Sequence, residues 1–268
     1  CIRDRDWPGP RSPLIMGRGQ GVRDPEPRIC KGDPIVCGRI NLTAPPHVLA
    51  ARFYLDIVPD LVPRYNIAPS QDVAAVVPNP RSEGRLLRMF HWGLVPPWGA
   101  QKGGAGLINA RSETVAEKPA FRRAFAHRRC LVPVNGFYEW RKGEDGRQPY
   151  LIRRRDRQVF ALAGIWERRE EAPGQVQDSL AVLTTRPNAA VRPIHERMPV
   201  ILPEADWRLW FSLDEADRAR ITELLRPAPA ELLIAHPVTR RANSPAFDDP
   251  ACLEPVDDER TGQINLFG

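Results

Sequence analysis

Apolar residues repeat at helical spacing in some segments of this chain and at strand spacing in others. Residues 46–57 (PHVLAARFYLDI) carry a helical pattern that starts at a proline pair, and proline suits the first turn of a helix. Residues 117–127 (EKPAFRRAFAH) predict a second helix with a basic face. Short apolar runs at 72–77 and 85–92 predict strands. Both kinds of element are therefore expected in the first half of the chain.

A dense series of strand-like runs follows, separated by polar loops that contain glycine. The predicted strands are residues 130–134, 137–140, 149–154, 158–166 and 179–185. Helices are predicted again at 204–212 and 214–225, each beginning with acidic residues that favour a helix N-terminus. Because strands and helices do not alternate strictly, the pattern predicts an α+β fold, a single domain with a largely antiparallel sheet or barrel flanked by helices.

The first 36 residues differ from the rest, since they are rich in proline, glycine and charge and show no apolar periodicity. This composition predicts disorder, a propeptide, or translated sequence upstream of the true start. Val36 directly precedes Cys37, and a valine codon can serve as a bacterial start that is read as methionine. We therefore expect a working protein that begins at Cys37, a folded domain over 37–256 and a flexible tail over 257–268.

Composition excludes some classes of protein but does not identify the function. Hydrophobic content of 42% and seven tryptophans support a real core, and the net charge of +6 is compatible with a polyanionic partner without proving one. The five cysteines are widely spaced and include no CxxC pair, so neither a disulfide framework nor a zinc site is expected. The chain shows no apolar run of membrane-spanning length. We expect a cytoplasmic, nucleoid-associated protein without metal or cofactor.

Six segments place polar groups in apolar or proline-stiffened settings. They are Cys37-Gly38-Arg39, RYNIAPSQ (64–71), WGLVPPW (92–98), NARSET (109–114), NGFYEW (135–140) and IHERMP (194–199). Together, and in this order, they resemble the SOS response-associated peptidase (SRAP) family, whose members crosslink to abasic sites in single-stranded DNA. The resemblance runs from Cys37 to about residue 256, which implies an SRAP-like fold and a DNA-lesion function for the whole domain.

Cys37 has two interpretations. Taken alone, a single cysteine at the start of a strand is a small buried hydrophobe. The resemblance implies instead that it becomes the first residue, with a free α-amine whose reference pKa is about 7.7–8.0. Such an amine attacks the aldehyde of an opened abasic sugar, and the neighbouring thiol then closes a thiazolidine ring. An internal cysteine lacks this amine, so the position of the N-terminus decides the chemistry.

Three further residues complete the catalytic set that the resemblance implies. Glu139 lies between two aromatic residues, which favours an apolar pocket and a raised pKa, although a solvent-facing strand glutamate is the simpler interpretation. His195 lies between two prolines and is expected to act as a positioned acid or base rather than only structurally. Asn109 is expected to orient the cysteine amine or the sugar, or else to serve as a turn or cap residue.

The DNA-contact residues follow less directly from the motifs. The predicted set is Arg39, Arg64, Ser70, Trp92, Trp98 and Arg111. Arginine can grip phosphate with two hydrogen bonds, and single-strand binders combine basic grooves with aromatic stacking surfaces. The alternative for each tryptophan is a core position beside a proline turn.

The tail and the overall activity leave alternatives open. Gln263, Leu266 and Phe267 belong to a QINLF pentapeptide that resembles the motif with which bacterial repair proteins dock on the replication sliding clamp. The main hypothesis is a monomeric enzyme that captures abasic sites in single-stranded DNA through Cys37 and shields them. The alternatives are a thiol autopeptidase, which uses Cys37 to remove its own N-terminal segment, and a non-catalytic single-strand binding module.

Overall fold

The computed structural model describes residues 37–98, 106–143, 146–172 and 174–257. The predictions made for residues 1–36 and for the tail residues Gln263, Leu266 and Phe267 lie outside these ranges. The described strands are β1 (Ile40–Leu42), β2 (Arg64–Ile67), β3 (Asp72–Pro78), β4 (Arg85–Trp92), β5 (Asn109–Arg111), β6 (Arg129–Val134), β7 (Gly136–Gly143), β8 (Gly146–Arg154), β9 (Phe160–Ala172), β10 (Gln175–Thr185), β11 (Met198–Pro199), β12 (Ile201–Leu202) and β13 (Leu233–Pro237). The described α-helices are α1 (Pro46–Phe53), α2 (Pro119–His127), α3 (Trp207–Phe211) and α4 (Arg218–Glu223).

The larger sheet closes on itself. Its strand order is β11-β10-β4-β3-β6-β9-β12, and β9 also pairs with β10, so strands β10, β4, β3, β6 and β9 form a ring. All of these pairings are antiparallel except the one between β10 and β4, which is parallel at Ser179 and Leu180. The predicted α+β fold with a largely antiparallel sheet or barrel and flanking helices is confirmed. Closure leaves few free strand edges and gives the core a rigid wall.

The smaller sheet carries the first motif of the sequence. Its strand order is β13-β8-β7-β1-β2, and every neighbouring pair is antiparallel. Strand β1 lies against β7 with Ile40 opposite Phe137, and the contact continues upstream because Tyr138 N donates to Arg39 O at 2.9 Å. This register brings the residues just before β1 beside the middle of β7.

The helices match the sequence prediction in place but are shorter. Helix α1 begins at Pro46, as expected, but it ends at Phe53 because Tyr54 adopts a left-handed conformation with φ of 54°. Its N–H then bonds to Ala50 O and closes the last turn. The predicted helix at 204–212 divides into a 3₁₀ turn and α3, and the one at 214–225 divides in the same way before α4. The strands predicted from 72 to 185 are all present.

Large aromatic side chains fill the main core. Trp207 stacks on Phe53 with ring centroids 4.8 Å apart, and Trp210 is tilted against Phe125 at 6.2 Å. Both indole N–H groups bond to backbone carbonyls, of Leu202 and Cys130, so these buried polar atoms are satisfied. None of the helices in the described ranges combines the length and the apolar character needed to cross a membrane.

Candidate active site

Cys37 lies fully buried immediately before β1, where the chain runs beside β7. Its φ of 45° is left-handed, a conformation that costs a residue with a side chain about 1–3 kcal/mol unless its surroundings hold it there. The contact that holds it comes from β7. Cys37 N donates a hydrogen bond to Glu139 Oε1 at 2.6 Å, across 102 residues of sequence.

Glu139 is the acceptor of that bond and is itself fully buried. Burial raises the pKa of the Glu139 carboxyl well above its usual range, and the hydrogen bond from Cys37 N opposes this only in part. Its second oxygen, Oε2, has no hydrogen-bond partner among the residues that the structure describes. A buried carboxyl with one oxygen on a nitrogen and the other unoccupied is suited to exchanging a proton with that nitrogen and with a ligand.

His195 lies on the other side of that carboxyl, in the loop between β10 and β11. Its Nδ1 is 4.0 Å from Glu139 Oε2. The ring is held by its own loop, because Arg197 N donates to Nδ1 at 3.1 Å and His195 N donates to Val191 O at 3.0 Å. Burial lowers the pKa of the His195 imidazole below its ordinary value. The three predicted residues Cys37, Glu139 and His195 therefore come together at one point.

The thiol of Cys37 is not activated in this arrangement. Burial raises the pKa of the Cys37 thiol well above its ordinary value, and the charge of Glu139 raises it further. A thiol in this state stays protonated and is a poor first nucleophile. The Cys37 nitrogen, by contrast, lies 2.6 Å from Glu139 Oε1. It is a peptide nitrogen while residue 36 is attached, so this contact favours nitrogen chemistry only in a chain that begins at Cys37.

Asn109 and Arg111 lie on β5, a short strand that the local apolar pattern does not predict. Strand β5 pairs in parallel with β10, with Asn109 opposite Val182 and Arg111 opposite Thr184. Since β10 leads directly into the His195 loop, the NARSET segment and that loop share one support. Asn109 is half-buried and Arg111 is exposed. Their roles toward the cysteine amine and toward DNA stay predictions.

An ion pair between Arg197 and Glu113, which no local sequence pattern predicts, ties these two segments together. Arg197 donates from Nη1 and Nη2 to the carboxylate of Glu113 at 2.6 and 2.8 Å, and from Nη2 to Thr184 O at 2.8 Å. Such a two-point contact is geometrically specific. Both partners lie inside recognised motifs, NARSET and IHERMP, but their separation of 84 residues gives no local signal for the pair.

Two of the six predicted DNA-contact residues are interior residues in this structure. Trp92 is fully buried and donates from Nε1 to Ile108 O at 3.0 Å, so no face of its ring is open to a base. This burial favours the core alternative for Trp92, whose contact to DNA stays a prediction. Arg39 is also buried, and its guanidinium donates to Asn66 Oδ1 at 2.7 Å and Ala242 O at 2.8 Å. These internal bonds leave it poorly placed to grip a phosphate.

The other predicted contacts lie nearer the surface. The Trp98 side chain is 63% exposed, and Ser70 is exposed with a left-handed φ of 69°. Arg64 is half-buried and forms an ion pair with Asp248. Trp98, Ser70, Arg64 and Arg111 stay predictions for DNA contact.

Comparison with known proteins gives a consistent result. A family model described as SOS response associated peptidase (SRAP) matches residues 36–245. The chain is 34% identical to the abasic site processing protein YoqW of Bacillus subtilis over 224 residues, which cover 82% of this chain and 99% of that protein. It is 30% identical to the abasic site processing protein YedK of Escherichia coli over 204 residues, covering 74% and 87% of the two chains.

Solved structures agree with the fold. A Bacteroides thetaiotaomicron protein superposes with a TM-score of 0.70 at 26% identity, over 82% of this chain and all of that one. A Bordetella bronchiseptica protein superposes with a TM-score of 0.66 at 25% identity, over 76% of this chain and all of that one.

Proposed function

Because this chain belongs to the SOS response associated peptidase (SRAP) family, we propose that it senses abasic sites in single-stranded DNA and links covalently to the opened sugar through Cys37. The observation that carries the proposal is the 2.6 Å contact between Cys37 N and Glu139 Oε1 in a fully buried pocket. Relatives over most of the chain are named abasic site processing proteins. The adduct shields the lesion from strand cleavage.

The chemistry requires that the active chain begins at Cys37, so that its nitrogen is an amine. The neutral amine attacks the C1′ aldehyde of the opened sugar, and loss of water gives a Schiff base. The thiol then adds across the C=N bond, with sulfur bonding to carbon and the thiol proton passing to nitrogen, which yields a thiazolidine. Glu139 accepts the ammonium proton and returns a proton to the departing hydroxyl. The match to the family model begins at residue 36, next to this nitrogen, and supports that start.

An adduct assay with two DNA controls tests this function. Protein that begins at Cys37 is incubated with a single-stranded oligonucleotide that carries one abasic site, and the products are separated under denaturing conditions. We expect a stable protein–DNA adduct with that substrate only. An intact oligonucleotide and one with a tetrahydrofuran analogue, which has no aldehyde, should give none. Absence of an adduct from the aldehyde substrate would overturn the proposal.

A second candidate activity is removal of the upstream segment by the same cysteine. The left-handed φ of 45° at Cys37 favours it, because φ is defined only while residue 36 is attached and its strain is released by cleavage. For this step the buried Cys37 thiol must first lose its proton. The sulfur then attacks the carbonyl of residue 36, the acyl group passes from nitrogen to sulfur as the nitrogen takes up a proton, and hydrolysis of the thioester releases the upstream segment. Intact mass of the purified full chain distinguishes the outcomes, since an unchanged mass over days argues against self-processing.

A docking role for the tail and a cytoplasmic, nucleoid-associated location belong to the same proposal. Gln263, Leu266 and Phe267 would anchor an apolar hook in the groove of a replication sliding clamp and deliver a monomeric enzyme to single-stranded gaps. We expect a pull-down with the clamp to retain the full chain. The double substitution Leu266→Ala and Phe267→Ala should abolish retention, and equal retention of this variant would contradict the idea.

A further inference from the structure

A segment after β13 crosses the smaller sheet next to the active site. It comprises residues 239–253, includes 3₁₀ turns at Arg240–Asn243 and Pro250–Leu253, and is called here the C-terminal strap. None of the six sequence motifs falls within it. The family model ends at residue 245, so the second half of the strap lies beyond the match.

The strap contacts the strand segment that carries Cys37. Arg39, two residues after Cys37, donates from Nη1 to Ala242 O at 2.8 Å and from Nη2 to Asn243 O at 3.4 Å. Because the Arg39 side chain is buried and its backbone O accepts from Tyr138 N, it has little freedom to move without the strap. The backbone that leads into Cys37 is therefore tied to the strap.

The same part of the strap contacts the segment that carries Glu139. Trp140, the next residue along β7, donates from Nε1 to Asn243 Oδ1 at 2.7 Å. The Arg39 guanidinium carbon lies 5.6 Å from the centroid of the Trp140 ring. Asn243 thus bonds to neighbours of both members of the Cys37–Glu139 pair, through its backbone oxygen on one side and its side-chain oxygen on the other.

Asn66 on β2 anchors the strap. Its Nδ2 lies 3.2 Å from Ala242 O, 3.0 Å from Ser244 O and 2.7 Å from Phe247 O, and its Oδ1 accepts from Arg39. Asn66 is fully buried, so these bonds are exchanged with little competition from water. Asp248 adds a second anchor, because its Oδ1 accepts from Asn66 N at 2.9 Å.

From this geometry we propose that Asn66 and Asn243 are positioning residues, which act through the C-terminal strap to hold Cys37 N against Glu139. The inference rests on the proposed function, since it concerns the rate of the same reaction. The contact to be held is 2.6 Å, and misplacement of reacting groups by about 1 Å can cost about 100-fold in rate. Neither residue contacts the reacting atoms. Substituting them should therefore lower the rate of adduct formation in the protein–DNA complex and leave the affinity for DNA unchanged.

Single-turnover crosslinking measures the rate of adduct formation separately from the affinity for DNA. Protein that begins at Cys37 is titrated against abasic single-stranded DNA, and the adduct rate is fitted for its saturating value and its half-saturating concentration. We expect Asn243→Ala and Asn66→Ala to lower the saturating rate about 10-fold or more with the half-saturating concentration within about 2-fold. Asn243 is exposed, so its alanine variant should keep the wild-type melting temperature even where Asn66→Ala unfolds.

Matched controls lie in other parts of the fold. Asn79 also forms a side-chain hydrogen bond near the surface, because its Nδ2 donates to Asp56 Oδ2. Asn79→Ala should keep the wild-type rate of adduct formation. Arg129 is a buried side chain that donates to Trp210 O, and Arg129→Met should lower stability without lowering the saturating rate of folded protein.

The outcomes are distinct. Failure of the wild-type protein to crosslink would overturn the proposed function. Wild-type crosslinking combined with an unchanged saturating rate in Asn243→Ala would overturn the positioning role alone. A raised half-saturating concentration at an unchanged rate would make the strap a DNA contact instead, and an equal rate loss in Asn79→Ala would show a non-specific effect; either result contradicts the inference.

Discussion

The variant Cys37→Ala, in protein that begins at residue 37, is expected to lose the denaturation-stable DNA adduct by a factor of at least about 100. Alanine keeps the α-amine, so the Schiff base still forms, but no thiol is present to close the ring. Reduction with borohydride should therefore trap the imine in this variant while untreated samples show no adduct. Affinity for single-stranded DNA should change little, because the removed sulfur is fully buried.

A second buried cysteine provides the control for this experiment. Cys130 on β6 is also fully buried, and burial alone raises the pKa of its thiol, so it is an inert core residue. Cys130→Ala should form the adduct at the wild-type level. A chain that retains residue 36 has a peptide nitrogen at Cys37 and should give neither the stable adduct nor the trapped imine. A stable adduct from Cys37→Ala at the wild-type rate would refute the assignment.

The variant Glu139→Gln is expected to lower the adduct rate by about 100- to 10,000-fold, the usual contribution of a positioned acid or base. Glutamine keeps an oxygen that can accept from the Cys37 nitrogen, so the shape of the pocket is retained, but it cannot accept a proton. The measurement is the single-turnover rate at saturating protein. An unchanged rate would remove Glu139 from the catalytic set.

Although Glu139→Gln should lower the adduct rate, it should raise the stability of the fold at neutral pH. Burial raises the pKa of Glu139, so folding favours its protonated form, and the stability it supports is present at low pH and lost as pH rises toward the folded-state pKa. In the chain with residue 36 attached, Glu139→Gln should raise the melting temperature at pH 7, and the gain should shrink below about pH 4, near the pKa of an unfolded glutamate.

Glu167 is the matched control for both measurements. It is almost fully buried on β9 but forms an ion pair with Arg128. Glu167→Gln breaks that pair, so it should lower the melting temperature at pH 7 and leave the adduct rate unchanged. Comparing the two variants therefore distinguishes a carboxyl that exchanges protons from one that only stabilises the fold. Equal rate losses in both variants would show that stability, not proton transfer, controls the reaction.

The sequence alone predicts where strands and helices lie more reliably than it predicts which side chains of an element point into the core. Strand β4 was expected at 85–92 and is found at Arg85–Trp92, because local apolar runs determine local backbone structure. The same residues cannot show that Trp92 points inward and bonds to Ile108 O, since that partner comes from outside the strand. The short strands β5 and β13 were missed because each depends on pairing with a distant partner.

The sequence indicates three residues of the candidate site but none of the contacts that connect the site to the rest of the fold. Residue chemistry and the family resemblance indicated Cys37, Glu139 and His195, which the structure brings together. Nothing in the local sequence around Asn66 or Asn243 predicts that they bond to the flanks of this site. Contacts of this kind join segments more than 100 residues apart, as Trp140 and Asn243 are, and only the folded chain creates them.

The hydrogen bond from Arg197 N to His195 Nδ1 has a consequence for the direction of catalysis. A nitrogen that accepts from a backbone amide cannot also carry hydrogen, so the neutral ring must be the Nε2–H tautomer. The lowered pKa of His195 keeps this ring neutral near pH 7. A neutral imidazole of this tautomer can donate a hydrogen bond from Nε2 to a developing oxyanion but is a poor source of protons. We therefore expect Glu139 to carry the proton in both the forward and the reverse reaction, and His195 to assist capture and release as a hydrogen-bond donor.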